Sequence, residues 1–265
     1  METALEEIEF LALSANRVTV LECLAEGPQS RSDLADATGA SQATLGRILE
    51  DLEARSWIER DGGTYVATPT GQLVSDGFTN LLTVIETEQA LRELVPYLPG
   101  DAISFDLAHL ADATIVQPSQ TRPSAPLQRT LDLTTSASEI RSFSHAFNNQ
   151  SLATVQQQVS DGRLTFSGVF ARSAIDALTA ESELCSLLGE LVDDPAAEIR
   201  VYDGEVPLAV TIADDIVHLL LRDDRGILQG SIDTDVDAVR EWAAERFDSY
   251  WAASEPLDRA ALSTK

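Results

Sequence analysis

Between Gly27 and Thr68 the chain reads GPQSRSDLADATGASQATLGRILEDLEARSWIERDGGTYVAT, and this order of short helices, turn and hairpin constrains the fold more than any other feature. Ser32 is a suitable N-cap for a helix that stops at Gly39, because its hydroxyl can accept a free backbone N–H. Ser41 can cap a second helix in the same way. In that helix Leu45, Ile48, Leu49 and Leu52 recur at spacings of three and four and make one apolar stripe. Beyond it, Trp57 to Arg60 and Tyr65 to Ala67 flank Asp61-Gly62-Gly63-Thr64, whose glycines permit the positive φ of a hairpin turn. Helix, turn, recognition helix and β-wing in that order predict a winged helix-turn-helix, a module that reads DNA.

The charge runs against this reading. The chain carries 44 acidic and 18 basic residues, a net of −26, which should repel a phosphate backbone. The kind of base resolves part of the conflict, since every basic residue is arginine except Lys265, the last. Lysine-poor, Asp/Glu-rich composition is expected of a protein from a salt-accumulating halophile. There the Debye length shrinks to a few ångströms, so long-range repulsion is screened and close contacts decide.

At 265 residues the chain is long enough for two domains with separate cores. No apolar run approaches the roughly 20 residues of a membrane-spanning helix. The acidic start, METALEEIEFLALS, does not resemble a secretory signal, so a cytoplasmic protein is expected. Cys23 and Cys185 sit apart in apolar helical patterns and read as buried free thiols. His109, His145 and His218 are too scattered for metal-ligand spacing, and no metal is expected.

The predicted organisation is a winged domain over 1–70, a connector or dimerisation helix over 71–100, and an α/β regulatory domain over 101–265. Thr68-Pro69 should open the connector as N-cap and first-turn proline, with the helix running to Val95 and ended by Pro96 and Pro99-Gly100. Its apolar positions fit packing against a second subunit or against its own chain. From Asp101 onward strands near 113–117, 140–144 and 164–170 alternate with helices near 127–133, 151–159 and 173–191. This predicts a mainly parallel sheet. Four further strands, near 198–202, 206–212, 216–221 and 226–231, have short turn-rich separators and should be antiparallel neighbours. A last helix runs from Asp235 to Ala253.

No catalytic set emerges. The serines lack a glycine-flanked nucleophile elbow, and there is neither a Walker-type loop nor a Gly-x-Gly-x-x-Gly after a strand. Adjacent aspartates at 193–194, 214–215 and 223–224 read as solvated surface. For DNA reading, Gln42 could address adenine and Arg47 guanine or a phosphate. Ser41 and Thr44 are candidate phosphate or base-edge contacts. Gly46 either lets the backbone approach DNA closely or is a tolerated surface glycine. Arg31, and Arg60 with Thr64 in the wing, are candidate backbone contacts. Arg55 either joins them or pairs with a nearby acid.

In a parallel sheet ligands bind beyond the carboxyl ends of the strands. Those ends are Pro118-Ser119 with Thr121-Arg122, then Ser144-His145, then Phe170 with Arg172-Ser173. Such a set suits a small anionic or polyhydroxylated ligand. Structural pairing of Arg122 and Arg172 with carboxylates, and a structural His145, are the alternatives.

These segments carry a resemblance. SANRVTVLECLAEGP, SRSDLADATGASQATLGRILEDLEARSWIER and YVATPTGQLV in front, with the loop after ATIVQP, VPLAVTIADDIVHLLL and EWAAERFDSYWAASEPL behind, resemble haloarchaeal winged-helix transcriptional regulators of the methanogenesis-regulatory type. The resemblance implies an N-terminal winged helix and a C-terminal α/β regulatory domain of phospholipase-D-like fold. A histidine–lysine pair is impossible here, so phospholipase chemistry is not expected. The expected protein is a homodimeric, non-enzymatic regulator of double-stranded operator DNA, without a cofactor, that answers to a small-molecule effector. A winged-helix adaptor that contacts proteins instead of DNA is the alternative.

Overall fold

The computed structural model describes residues 2–262, so Lys265 lies outside them. The chain divides between Glu86 and Thr87 into two compact units.

The first unit holds α1 (Glu2–Ala12), α2 (Ala15–Glu26), β1 (Gln29–Ser30), α3 (Arg31–Thr38), α4 (Gln42–Ala54), β2 (Ile58–Asp61), β3 (Thr64–Ala67) and the start of α5 (Pro69–Leu91). The cap of α3 is Ser30, not Ser32. Ser30 Oγ accepts the Asp33 N–H at 3.3 Å while the Asp33 carboxylate accepts the Ser30 N–H at 2.9 Å. This reciprocal box requires an acid three residues after the cap, which Asp33 supplies for Ser30 and Ala35 cannot supply for Ser32. Ser41 does cap α4, accepting the Thr44 N–H at 3.2 Å. Leu45, Ile48, Leu49 and Leu52 are buried with Val20, Leu21, Leu24 and Leu34, each side chain gaining about 2 kcal/mol from burial. The wing pairs Ile58 with Ala67 through to Asp61 with Thr64, and Gly62 turns it at φ 60°. β1 lies on the other edge of β3.

Helix α5 opens as expected: Thr68 Oγ1 accepts the Gly71 N–H at 3.0 Å. It stops at Leu91, four residues before the predicted end, and a short helical turn at Val95–Tyr97 follows. Pro96 explains this. Its ring would clash with the Arg92 carbonyl of a continuing α-helix.

The second unit contains β4 (Thr114–Val116), α6 (Ala125–Ser136), β5 (Glu139–Ser144), α7 (Asn149–Ser160), β6 (Thr165–Ala171), α8 (Arg172–Thr179), α9 (Ser182–Asp193) and β7 (Ala197–Tyr202). Then come β8 (Ala209–Ala213), β9 (Ile216–Arg222), β10 (Leu228–Thr234), α10 (Asp237–Ala252), β11 (Glu255–Pro256) and α11 (Arg259–Leu262). One eight-stranded sheet runs β11-β7-β6-β5-β8-β9-β10-β4. It is mixed, not mainly parallel: only the β5/β6 and β6/β7 pairs are parallel. The reason is connection length. The helices α7 and α8–α9 bridge β5 to β6 and β6 to β7, whereas turns too short for a crossover join β8, β9 and β10. One face packs on α10 through Trp242 and Phe247, the other on α6, α7, α8 and α9 through Leu133, Leu152, Ile175 and Leu188.

Candidate DNA interface and ligand pocket

The first unit has five arginines, and they fall into two sets. Arg17 and Arg55 hold the scaffold. Arg17 donates to the Phe10 carbonyl at 2.9 Å and pairs with Asp51, and Arg55 pairs with Glu7 at 2.6 Å. Both guanidiniums lie over the Phe10 ring, at 4.1 and 3.6 Å from its centroid. Arg55 is therefore a scaffold residue. Arg31, Arg47 and Arg60 form no ion pair with any described carboxylate.

Arg47 projects exposed from the outward side of α4, opposite the buried stripe, and has no hydrogen-bond partner among the described residues. Arg60 lies exposed in the wing, its guanidinium 5.8 Å from the Tyr65 ring centroid. Thr64 is half-buried at the turn, where its hydroxyl donates to the Asp61 carbonyl. Ser41 and Thr44 are exposed at the start of α4, with their hydroxyls 2.9 Å apart.

Arg31 is bound to the recognition helix itself. Its Nε donates to Gln42 Oε1 at 3.0 Å and its Nη2 to the Gln42 carbonyl at 2.7 Å. This gives Gly46 a packing reason that the sequence alone does not reveal. A Cβ there would stand 2.7 Å from Arg31 Nη2. Gly46 makes room for the guanidinium that orients Gln42.

In the second unit the three predicted ligand segments do not converge. β4 forms the far edge of the sheet, four strand positions from β5, about 19 Å at the usual spacing. The loop after it closes on itself: Pro118 precedes a turn in which Ser119 and Arg122 exchange backbone hydrogen bonds, and Ser119 Oγ accepts the Arg122 N–H at 3.1 Å, with Thr121 beside it. Arg172 is held by an ion pair with Asp203, and Ser173 lies exposed on α8. Ser144 and Phe170 do meet, paired across β5 and β6.

Those two line a partly open cavity of about 80 Å³. Its apolar wall includes Phe147, Leu152, Val155 and Phe166, and its polar floor includes Ser142, Thr211, His218 and Arg222. The floor follows from strand register. Ser142 pairs with Thr211, Thr211 with His218, and His218 with Asp233, one polar row across four strands. Residue spacing within single segments does not reveal this row. A signal for it exists: polar residues in phase at alternate positions inside apolar strands.

The row is hydrogen-bonded almost throughout. Ser142 Oγ donates to the Val210 carbonyl. His218 Nδ1 lies 2.5 Å from Asp233 Oδ1 and its Nε2 lies 2.8 Å from Thr130 Oγ1, while Arg129 Nε donates to Asp233 Oδ2 at 2.5 Å. His218 and Asp233 are 1% and 4% exposed. Burial alone would raise the Asp233 carboxyl, yet hydrogen bonds and charge from His218 and Arg129 outweigh it and hold the carboxyl below its ordinary value. Asp233, His218 and Thr130 thus form one buried hydrogen-bonded chain. Thr130 is also within 3.2 Å of the Pro126 carbonyl one helical turn back, so its hydroxyl is shared with the α6 backbone.

Arg222 differs from the rest of the floor. It is half-buried, its Nη1 donates to the Gly226 carbonyl at 3.0 Å, and its buried Nε has no partner among the described residues. It forms no ion pair with a described carboxylate, and burial pushes its guanidinium below the usual arginine value. His145, just beyond β5, is pushed down by burial and then by the nearby Arg222 charge; its buried Nδ1 is also unpartnered. Among the described residues no three His, Cys, Asp or Glu side chains gather to hold a metal ion, and no helix is long and apolar enough to cross a membrane. Cys23 and Cys185 are free and half-buried.

Fold and site together define a winged helix-turn-helix protein with an α/β domain built around a polar-floored pocket. Residues 5–90 match the family described as HVO_A0261 N-terminal domain, and residues 123–253 match that described as Methanogenesis regulatory protein FilR1, middle domain. The chain belongs to this family of archaeal DNA-binding transcription regulators. Among solved structures it is similar to TrmBL2, an archaeal chromatin protein with a novel mode of DNA binding, at 16% identity over 94% of this chain and 98% of that one, TM-score 0.43. The phospholipase D family member Nuc from Salmonella typhimurium aligns at 12% identity over 55% and 99%, TM-score 0.43. A putative transcriptional regulator from Rhodococcus, RHA06195, aligns at 14% identity over 90% and 96%, TM-score 0.30. No curated protein matches the chain.

Proposed function

We propose that the chain is a cytoplasmic, homodimeric regulator of a halophilic archaeon that binds a pseudo-palindromic operator and senses a small ligand in its α/β domain. Two winged domains would insert α4 into successive major grooves about one helical turn apart. Arg47 would contact guanine or a phosphate, and Gln42, oriented by Arg31, would read adenine. Ser41, Thr44, Arg60 and Thr64 would hold the sugar-phosphate backbone. Residues 71–100 would supply dimer contacts, since Leu81, Leu82, Val84 and Ile85 near the end of α5 are exposed apolar side chains. The domain works by binding and not by catalysis.

One observation carries this reading. In a chain of net charge −26, the recognition helix keeps an exposed arginine that no described carboxylate neutralises. The test is electrophoretic retardation of the protein's own promoter region in molar potassium chloride. Arg47→Ala should weaken binding by roughly 5- to 150-fold, the loss of about 1–3 kcal/mol expected of a base-reading arginine. Circular dichroism and dimer mass should not change. Undiminished binding would remove α4 from the interface.

A further inference from the structure

We propose that the cavity between the sheet and α6, α7 and α9 is a receptor site for a small carboxylate with a branched or aromatic body, gripped by Arg222. This rests on the reading of the second unit as a sensor and names the chemistry that it senses.

Arg222 supplies the charge at the cavity floor. Acids are abundant, and most arginines of the same unit find them: Arg129 pairs with Asp233, Arg172 with Asp203, Arg200 with Glu198 and Arg240 with Asp215, whereas Arg122 and Arg225, both exposed, and the half-buried Arg246 form no ion pair with a described carboxylate. Arg222 forms no such pair with a described carboxylate, although partial burial makes an uncompensated charge costlier there than at the surface. Asp223, its chain neighbour, is turned to the Arg225 and Ile227 N–H groups and the Gln229 amide. With Nη1 taken by Gly226, the unmatched donor is Nε, on the edge that grips a carboxylate side-on. A half-buried guanidinium left this way calls for an anion that the described residues do not supply.

The walls decide the rest of the ligand. Ser142 Oγ already donates to Val210, and Ser144 Oγ donates to the Ala146 carbonyl at 2.8 Å while accepting its N–H. Hydroxyls engaged in this way have little to offer a sugar or polyol. Phe147, Phe166, Phe170 and Leu152 instead present apolar surface. A cavity of about 80 Å³ is smaller than the roughly 150 Å³ engineered cavity that takes benzene. It therefore suits a short branched chain, or one ring reaching to the open mouth. One anionic head on such a body matches the lining.

The experiment uses the full-length protein in molar potassium chloride. Isovalerate, benzoate, isovaleramide, glucose and inorganic phosphate are titrated by calorimetry, with thermal unfolding as a second readout. Isovalerate or benzoate should bind and raise the unfolding midpoint; the neutral amide and glucose should not. Arg222→Gln should weaken carboxylate binding at least tenfold, and Arg222→Lys should retain part of it. Absence of carboxylate binding at millimolar concentration, equal binding of the amide, or undiminished binding by a folded Arg222→Gln protein would overturn the proposal. Preference for phosphate would do the same. The wild-type comparison of isovalerate with isovaleramide decides even if the variant does not fold. Promoter retardation with and without isovalerate separates the two ideas: binding with no effect on retardation would sink the sensing role and leave the pocket assignment standing.

Discussion

At the scale of single residues, two small contacts have consequences out of proportion to their size. Gly46 sits in a helix, where alanine would be favoured by up to about 1 kcal/mol. The Arg31 guanidinium occupies the place of the missing methyl, only 2.7 Å from it, but it is the free end of a flexible side chain and can swing away. Gly46→Ala should therefore leave the unfolding midpoint equal or higher while operator affinity falls several-fold, because Gln42 loses the donors that orient it. A variant that binds as tightly as the parent would show that Arg31 does not position the reading face. Asp233 behaves differently, since its carboxylate lies between His218 and Arg129 inside the sheet layer. Its carboxyl is held below the ordinary value, so the stability it contributes is present above about pH 4, the unfolded value, and is lost as pH falls through the folded one. Asp233→Asn should lower stability by on the order of 3 kcal/mol at neutral pH. It should also flatten the acid limb of the stability profile, measured by urea unfolding between pH 3 and 7. An unchanged acid limb would assign that titration to other groups.

Among elements, what is legible in the chain and what is not depends on how local each signal is. The α4 stripe, the Ser41 cap and the Gly62 turn are settled within a few residues, and each reads directly from spacing. The Ser30 cap escapes a reading by hydroxyl alone although it too is local, because the reciprocal acid at Asp33 selects it over the equally plausible Ser32. Sheet order depends on partners far apart in sequence. Nothing near Thr114 says that it pairs with Asp233, and so the sequence sets the ligand segment at Pro118 beside strands from which it is remote. His218 and Arg222, four apart in β9, share a face by strand alternation; only the register brings Ser142, Thr211 and Asp233 beside them on the cavity side. The same locality marks the proposed dimer element. Leu81, Leu82, Val84 and Ile85 lie within about one turn of α5, with Val84 52% and Ile85 46% exposed. Replacing Leu81 and Ile85 together by aspartate should convert a dimer to a folded monomer, read by light scattering. It should weaken operator binding far more than either winged domain's own contacts account for. A double variant that remains dimeric would move the interface off this helix.

For the whole molecule, the governing quantity is the net charge of −26 facing a polyanion. Two salt effects then oppose each other. Raising potassium chloride from 0.1 to 1 M shortens the Debye length from about 10 to about 3 Å, which removes the repulsion between acidic surface and DNA and also the self-repulsion that loosens the fold. The same salt weakens each phosphate contact through counterion release, with a slope near −0.9 per neutralised phosphate. Only Arg31, Arg47 and Arg60 in the winged unit are free of carboxylates among the described residues, so at most about three phosphates per domain, about six per dimer, are engaged and the limiting slope for the dimer is no steeper than about −5. Repulsion dominates at low salt and counterion release at high salt. Operator affinity should therefore rise with potassium chloride, pass through a maximum and decline gently, while the thermal unfolding midpoint climbs throughout. Fluorescence anisotropy on a labelled promoter fragment, from about 0.1 to about 3 M, gives the whole curve. A steep monotonic fall, like that of a basic repressor with a slope near −10, would mean that many more cationic contacts reach the DNA than these three arginines supply, and the α4 docking would have to be abandoned.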